Sequence, residues 1–416
     1  MRNFLSLAAL ALPALLLAGC TAGTQAQPAA TVETAAAPPP QTLTAYASPA
    51  LQPALQAYAA GQGVTLTLAD DASAAELIAL DYDPAGLVQG LDAAQDPLLG
   101  AAALRAGLDD TAVSLPVGRS LYGYWANGAM LDALLGEGGT TALQNATWAE
   151  WSDFVETLQA WLAEPGPATV TLAGSDYALP EAKPDTLTAT GVFAQPMDRA
   201  AGYTAALLAA GTERTADTLT GPLNGVYSAA ALEWDNLAQS DETALFRRAK
   251  LTDLLAAYGS DACQSLVLVP FKCNLEESDL STEEYNLTGL LNYPVLAQAG
   301  TLTVNAAAGE EARKAAEGAV LWLYSSGEGE AALTETLGVI TPWNTAYDGT
   351  ALGAMQVQQA STGILPGAAF TQAQADALAE NEAALQGGGR TSAERRDFTA
   401  RALEILGAAE PAESEK

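Results

Sequence analysis

Apolar and polar positions follow two periods along this chain, and the changes of period mark its elements. Gln41–Ala47, Val64–Leu68 and Leu77–Leu80 read as short strands, with Leu51–Ala60 as a helix after the first. The third run breaks at Asp81-Tyr82-Asp83-Pro84. This alternation predicts an α/β fold with a mostly parallel sheet and helices on its faces. A helix is expected after Pro97, and extended chain over Val113–Val117 and on toward Asn127. Thr147 stands three residues before Glu150, which predicts a capping box. Trp151, Phe154, Leu158 and Leu162 then recur at helical steps with Trp161 beside them, an apolar stripe that ends at Pro165-Gly166-Pro167.

Further on, Val170–Leu172 reads as a strand, Ala200–Ala210 as a helix and Asp217–Tyr227 as a loop returning toward a cleft. Phe246–Tyr258 reads as a helix and Leu266–Pro270 as a buried strand. Extended pieces at Leu290–Pro294 and Gly300–Asn305 precede helices at Glu310–Ser325 and from Gly327 through Leu337. Phe370–Leu385 and Ser392–Leu406 are expected as helices divided by Gly387-Gly388-Gly389. No period repeats, which argues against a solenoid.

The N-terminus has its own pattern. Arg2 precedes an apolar run from Phe4 to Leu17, and small residues then lead to Cys20. This layout resembles the bacterial lipoprotein signal, in which the cysteine is lipidated and becomes the first mature residue. The alternatives are an ordinary secretory peptide cleaved within Ala18–Ala26, or an uncleaved anchor, for which the run is short of a roughly 20-residue span. Residues 20–41 are poor in charge and end near Pro38-Pro39-Pro40, as a flexible stalk would.

The length of 416 residues exceeds what one core usually supports, so two lobes are expected. The 17 Lys and Arg against 49 Asp and Glu give a net charge of −32, which opposes binding to nucleic acid or anionic lipid. The sequence has no histidine, which removes His-based acid–base chemistry and His-liganded metal sites. No calcium-loop pattern is present, and neither a metal nor a cofactor is expected. Cys263 and Cys273, ten residues apart, read as a structural disulfide in an oxidising exterior, contributing about 3 kcal/mol if unstrained.

Candidate binding chemistry gathers at few places. Asp81 and Tyr82 lie where a third parallel strand would release its chain, the usual position of ligands in such sheets, although Asp and Pro also make plain surface turns. Tyr122, Tyr124 and Trp125, next to Gly123 and after Arg119, form the densest aromatic group, suited to the flat faces of sugars. With a period of two, Tyr122 and Tyr124 share one face and Trp125 takes the other. Trp234 adds a further aromatic group.

Taken in order, Leu115–Asn127, Thr147-Trp148-Ala149-Glu150, Val267-Leu268-Val269-Pro270, Leu302-Thr303-Val304-Asn305, Ala315-Ala316-Glu317 through Ser325, and Leu337–Pro342 resemble the extracellular solute-binding proteins of ATP-driven (ABC) sugar uptake systems, including the maltose-binding type. The resemblance implies a two-lobed periplasmic-binding-protein-like fold with a hinged interlobe cleft. Lobe 1 would comprise 42–117 and 250–320, and lobe 2 would comprise 118–249 and 321–410, after a signal peptide at 1–19. Matching cleft positions are Asp81, Tyr82, Tyr122, Tyr124, Tyr293 and Trp343, with Arg119 available to offset acid. The implied job is capture of a neutral sugar or oligosaccharide and delivery to a membrane permease. The chain would act without catalysis, as a lipid-anchored monomer on the outer face of the cytoplasmic membrane or the cell surface. A cationic or amide-bearing solute stands second. A surface adhesin or ligand sensor is the non-transport alternative, and a glycoside hydrolase, needing two carboxylates across a bond, is the enzymatic one.

Overall fold

The structure, a computed structural model, describes residues 41–408 apart from 137, 212, 270, 279–285, 344–369 and 390. The leader, most of the stalk and Cys20 lie outside the described residues.

Strands β1 (Thr42–Ala47), β2 (Thr65–Leu68) and β3 (Leu77–Leu80) are parallel, with α1 (Gln52–Gln62) between the first two. Helix α2 (Pro97–Arg105) starts on Asp96, whose carboxylate accepts from the N–H groups of Leu98 and Leu99. Then comes β4 (Leu115–Asn127), followed by α3 (Gly128–Leu135), α4 (Gly139–Gln144) and α5 (Trp148–Ala163). The capping box of Thr147 and Glu150 opens α5 as expected. Next are a small hairpin of β5 (Thr169–Leu172) and β6 (Ser175–Ala178), then β7 (Gly191–Phe193), α6 (Gly202–Ala210) and α7 (Ala216–Asp235). Strand β8 (Ala244–Lys250), helix α8 (Leu251–Cys263) and β9 (Leu266–Val269) lead to the hairpin of β10 (Phe271–Ser278) and β11 (Asn286–Tyr293), and then to β12 (Val295–Val304). Helices α9 (Glu310–Ser325), α10 (Gly327–Ala331), α11 (Gln372–Ala383) and α12 (Ser392–Leu406) complete the chain.

One sheet runs β2-β1-β3-β12-β4-β8-β7, with β9 also paired to β4. The long strands β4 and β12 join two lobes. Leu115 and Pro116 of β4 pair with β12 beside β3, whereas Tyr122–Ala126 pair with β8. Leu43, Leu77, Leu99 and Val320 build the core of the first lobe. Trp151, Phe154, Phe193 and Phe246 build a core of the second, and Tyr203, Tyr227 and Phe398 another. Leu323, Leu333, Leu337 and Val339 belong to the first-lobe core, although the expected boundary put 321–410 in lobe 2, because the apolar face of α9 rests on the β1 layer.

Three local expectations are corrected. Asp217–Tyr227 is not a loop but part of α7: Thr215 and Thr218 cap its start, and Pro222 is carried within it. Proline forfeits one intrahelical bond. Close seating on β11 accompanies it, since a Cβ on Gly225 would lie 2.3 Å from the Leu290 carbonyl oxygen. Phe246–Lys250 is strand, with the helix starting only at Leu251. All of β8 is buried, so it lacks the alternation that marks a half-exposed strand. The disulfide is absent: both cysteines are free. Cys263 packs with Trp125 and Leu254, Cys273 with Phe271 and Leu291, in clusters on opposite faces of the sheet. Burial pushes their thiols up, to about 11 and about 12.

Candidate functional site

The carboxyl ends of β1 and β3 open onto a cavity of about 920 Å³. Its wall includes Tyr46, Ser48, Asp81 and Tyr82 from the first lobe, and Asp198, Arg199, Phe370 and Asp376 from the second. Lys250 and Asp253, at the β8–α8 junction, and Gln298 of β12 also line it. The volume fits a small molecule, and the position is the usual one for a ligand in an α/β sheet.

Lys250 is the centre of its charge. The side chain is 2% exposed, and Nζ lies 2.8 Å from Asp198 Oδ2 and 3.0 Å from Asp81 Oδ2. The ammonium therefore ties a carboxylate of one lobe to a carboxylate of the other. Asp253 Oδ1 stands farther off, at 3.9 Å. Each acid is placed by local structure. Asp81 ends the buried β3 and accepts from Ser48 Oγ at 2.5 Å, and Asp198 accepts from the Ala201 N–H at 3.0 Å at the entry to α6. Asp253 lies in the first turn of α8, where the helix dipole favours an acid.

Burial pushes the Asp81 carboxyl up, but the Lys250 ammonium and the Ser48 hydroxyl outweigh it and hold the group below its ordinary value. Burial likewise opposes the Lys250 charge, and Asp198, Asp253 and Asp81 hold the ammonium well above its usual range. Asp253 goes the other way: burial first, then Asp198 and Asp81, push it up from 3.8 to about 7 against the pull of Lys250. A carboxyl with a raised folded pKa binds protons more readily when folded, so its contribution makes stability fall as pH rises between those two values. The lowered Asp81 acts in the opposite sense, below that window. We expect unfolding free energy in urea to decline from pH 5 to 7, and Asp253→Asn to flatten the decline. An unchanged slope in the variant would assign the titration to another group.

No protein-family model and no curated protein matches the sequence. Solved structures do. A Streptococcus pneumoniae solute-binding protein in complex with the blood group A-trisaccharide matches over 88% of this chain and 100% of its own, at 12% identity and a TM-score of 0.52. The maltose-bound MalE3 of T. maritima matches over 88% of this chain and 99% of its own, at 12% identity and a TM-score of 0.51. The chain has the fold of the two-lobed extracellular solute-binding proteins.

Within this solute-binding fold, the residues marked by sequence separate. Asp81 and Tyr82 line the cleft. Tyr122, Tyr124 and Tyr293 do not: they are 0, 1 and 2% exposed in the second-lobe core, where Tyr293 meets Tyr122 and Tyr124 edge-on with ring centroids 5.6 and 5.5 Å apart. Trp125, on the other face of β4 as the period predicts, donates to the Ala249 carbonyl. Trp343 packs on the first-lobe core, its Nε1 donating to Glu330 Oε1 at 3.0 Å, with Arg105 4.2 Å above its ring. Trp234 lies under the Arg199 guanidinium at 5.0 Å, off the cleft wall. Arg119 is half-buried on β4, where its backbone bridges Ile340, and burial lowers its pKa. Tyr122, Tyr124 and Trp125 are in cores because β4 is central and covered on both faces.

Sequence reading missed Tyr46, Asp198, Arg199, Lys250, Asp253, Gln298, Phe370 and Asp376. One signal was present. Arg247, Arg248 and Lys250 stand together in an apolar stretch of a chain with only 17 basic residues, and buried cations must have partners.

Proposed function

We propose that the cleft captures a small solute, a sugar or oligosaccharide, outside the cell, and that lobe closure presents it to a membrane permease of an ABC transporter. The observation that carries this reading is the 920 Å³ cavity whose wall comes from both lobes. A solute seated there touches both sides at once and stabilises closure by its preference for the closed form. The ligands named for the two structures above, maltose and a trisaccharide, support a carbohydrate, and Tyr46, Tyr82 and Phe370 supply aromatic faces in the cleft itself. Lipid on Cys20 would hold the chain at the outer face of the membrane; among the described residues no helix is long and apolar enough to cross one. Binding without turnover is the proposed mode. Asp81 and Asp198 are committed to Lys250 rather than set free across a reacting bond.

Thermal unfolding against a panel of mono- and oligosaccharides tests this. A cognate sugar at 100 times its Kd should stabilise the chain by about 2.7 kcal/mol. A broad panel in which no sugar raises the midpoint would sink the carbohydrate reading.

A further inference from the structure

The cleft wall holds more acid than base. Asp81, Asp198, Asp253 and Asp376 face only Lys250 and Arg199. Lys250 is engaged with Asp81 and Asp198, and Arg199 is stacked over Trp234. Asp253 is only partly engaged: its Oδ1 stands 3.9 Å from Lys250 Nζ, the residue is 9% exposed, and its Oδ2 has no hydrogen-bond partner. Gln298 Oε1, on the same wall, has none either. The Nε of Arg199 is also without a partner, but its guanidinium belongs to the stack on Trp234.

Two buried acceptors without partners, one on a carboxylate in a wall with excess negative charge, ask for donors that bring positive charge. A hydroxyl supplies one hydrogen and leaves the charge buried when the lobes close. An ammonium supplies three and cancels it. A metal ion is a poorer match: Lys250 occupies the centre of the acids, and among the described residues no cluster is disposed to hold one.

We propose that the cleft holds an ammonium subsite, and that the solute is a sugar carrying a protonated primary amine seated on Asp253 Oδ2, with Gln298 Oε1 of the same cavity wall as a further acceptor. The inference rests on the carbohydrate reading above and replaces the neutral sugar expected from sequence. The proton affinity of Asp253 agrees with it. Burial first, then Asp198 and Asp81, push that carboxyl up to about 7 against the pull of Lys250, so an arriving ammonium would favour its charged form and release a proton.

The test is calorimetric titration of the full chain in detergent solution at pH 7. The probes are matched sets: glucosamine, N-acetylglucosamine and glucose, and the corresponding β-1,4-linked disaccharides. The amine member should bind about tenfold or more tighter than its acetylated and hydroxyl counterparts. Its binding heat should vary with the ionisation enthalpy of the buffer, as proton release requires. Asp253→Asn should remove both the preference and the proton release, Asp253→Glu should keep them, and Gln298→Leu gives a second, uncharged route to a weakened preference. Equal binding of all members of a set would overturn the ammonium subsite and leave sugar capture standing. Binding of putrescine with no binding of any sugar would overturn the amino-sugar assignment together with the carbohydrate reading. No binding of any probe would overturn both.

Discussion

Replacing Arg248 with methionine is expected to lower the unfolding free energy by about 3 to 5 kcal/mol, the usual cost of stranding buried charge. The guanidinium is 1% exposed, and its partners Glu233 and Glu382 are 2% and 0% exposed. Nε donates to Glu233 at 2.9 Å, Nη2 to Glu382 at 2.7 Å and Nη1 to the Tyr122 hydroxyl at 2.8 Å. Tyr124 donates to the same Glu233 at 2.6 Å. Burial alone would weaken the guanidinium charge, but the two carboxylates hold its pKa well above the ordinary value. Gly202 is part of this design, since a Cβ there would lie 2.4 Å from Nη1, an atom that its partners prevent from moving. Without the arginine, two carboxylates share a site that water does not reach. Glu382, already pushed up by burial, would take a proton, so the deficit of the variant should shrink as pH falls. Denaturant unfolding at pH 5 and pH 7.5 measures this, and Glu382→Gln in the same background should recover part of the loss. A deficit under about 1 kcal/mol at pH 7.5 would mean that the cluster is not held together by charge.

Lys250→Met, two residues along the same strand, should act mainly on binding. Its partners Asp81 and Asp198 are 16% and 22% exposed, so water can resolvate them once the ammonium is gone. The stability loss should therefore stay near 1 to 2 kcal/mol. Closure suffers more. Lys250 joins carboxylates of opposite lobes, and without it the acids of the cleft repel one another as the lobes approach. Solute affinity should fall by about tenfold or more, the weight of one charge-assisted contact, and this is read by calorimetric titration with whichever sugar binds the unaltered chain. Unchanged affinity beside a normal unfolding curve would remove Lys250 from the binding apparatus. The two basic residues differ in what surrounds them and not in type of interaction, which is why one change is expected to unfold and the other to disarm.

Several elements were legible because their causes are local. The capping box at Thr147, the stripe from Trp151 to Leu162, the start of α12 at Ser392 and the strand ending at Asp81 all follow from neighbours a few residues apart. The two-faced pattern of Tyr122, Tyr124 and Trp125 was equally local, and it holds. What that pattern faces was not local. Whether an aromatic strand meets solute or core depends on which strands flank β4 and what covers them, and these come from segments more than a hundred residues away. The same distance hid β8, whose complete burial erases alternation, and α7, whose proline is tolerated beside a hairpin seated on Gly225. It also separated Cys263 from Cys273, which ten residues of sequence bring near and the two faces of a sheet keep apart. The amino-acid order by itself determined helices such as α1, α5, α9 and α12, the strand series of the first lobe and the class of fold, since hydrogen-bond capping and periodicity act within a few turns. Only tertiary structure decided the cleft, because Asp81, Asp198 and Lys250 belong to three separate stretches, and the burial that joins their charges exists only once both lobes are packed.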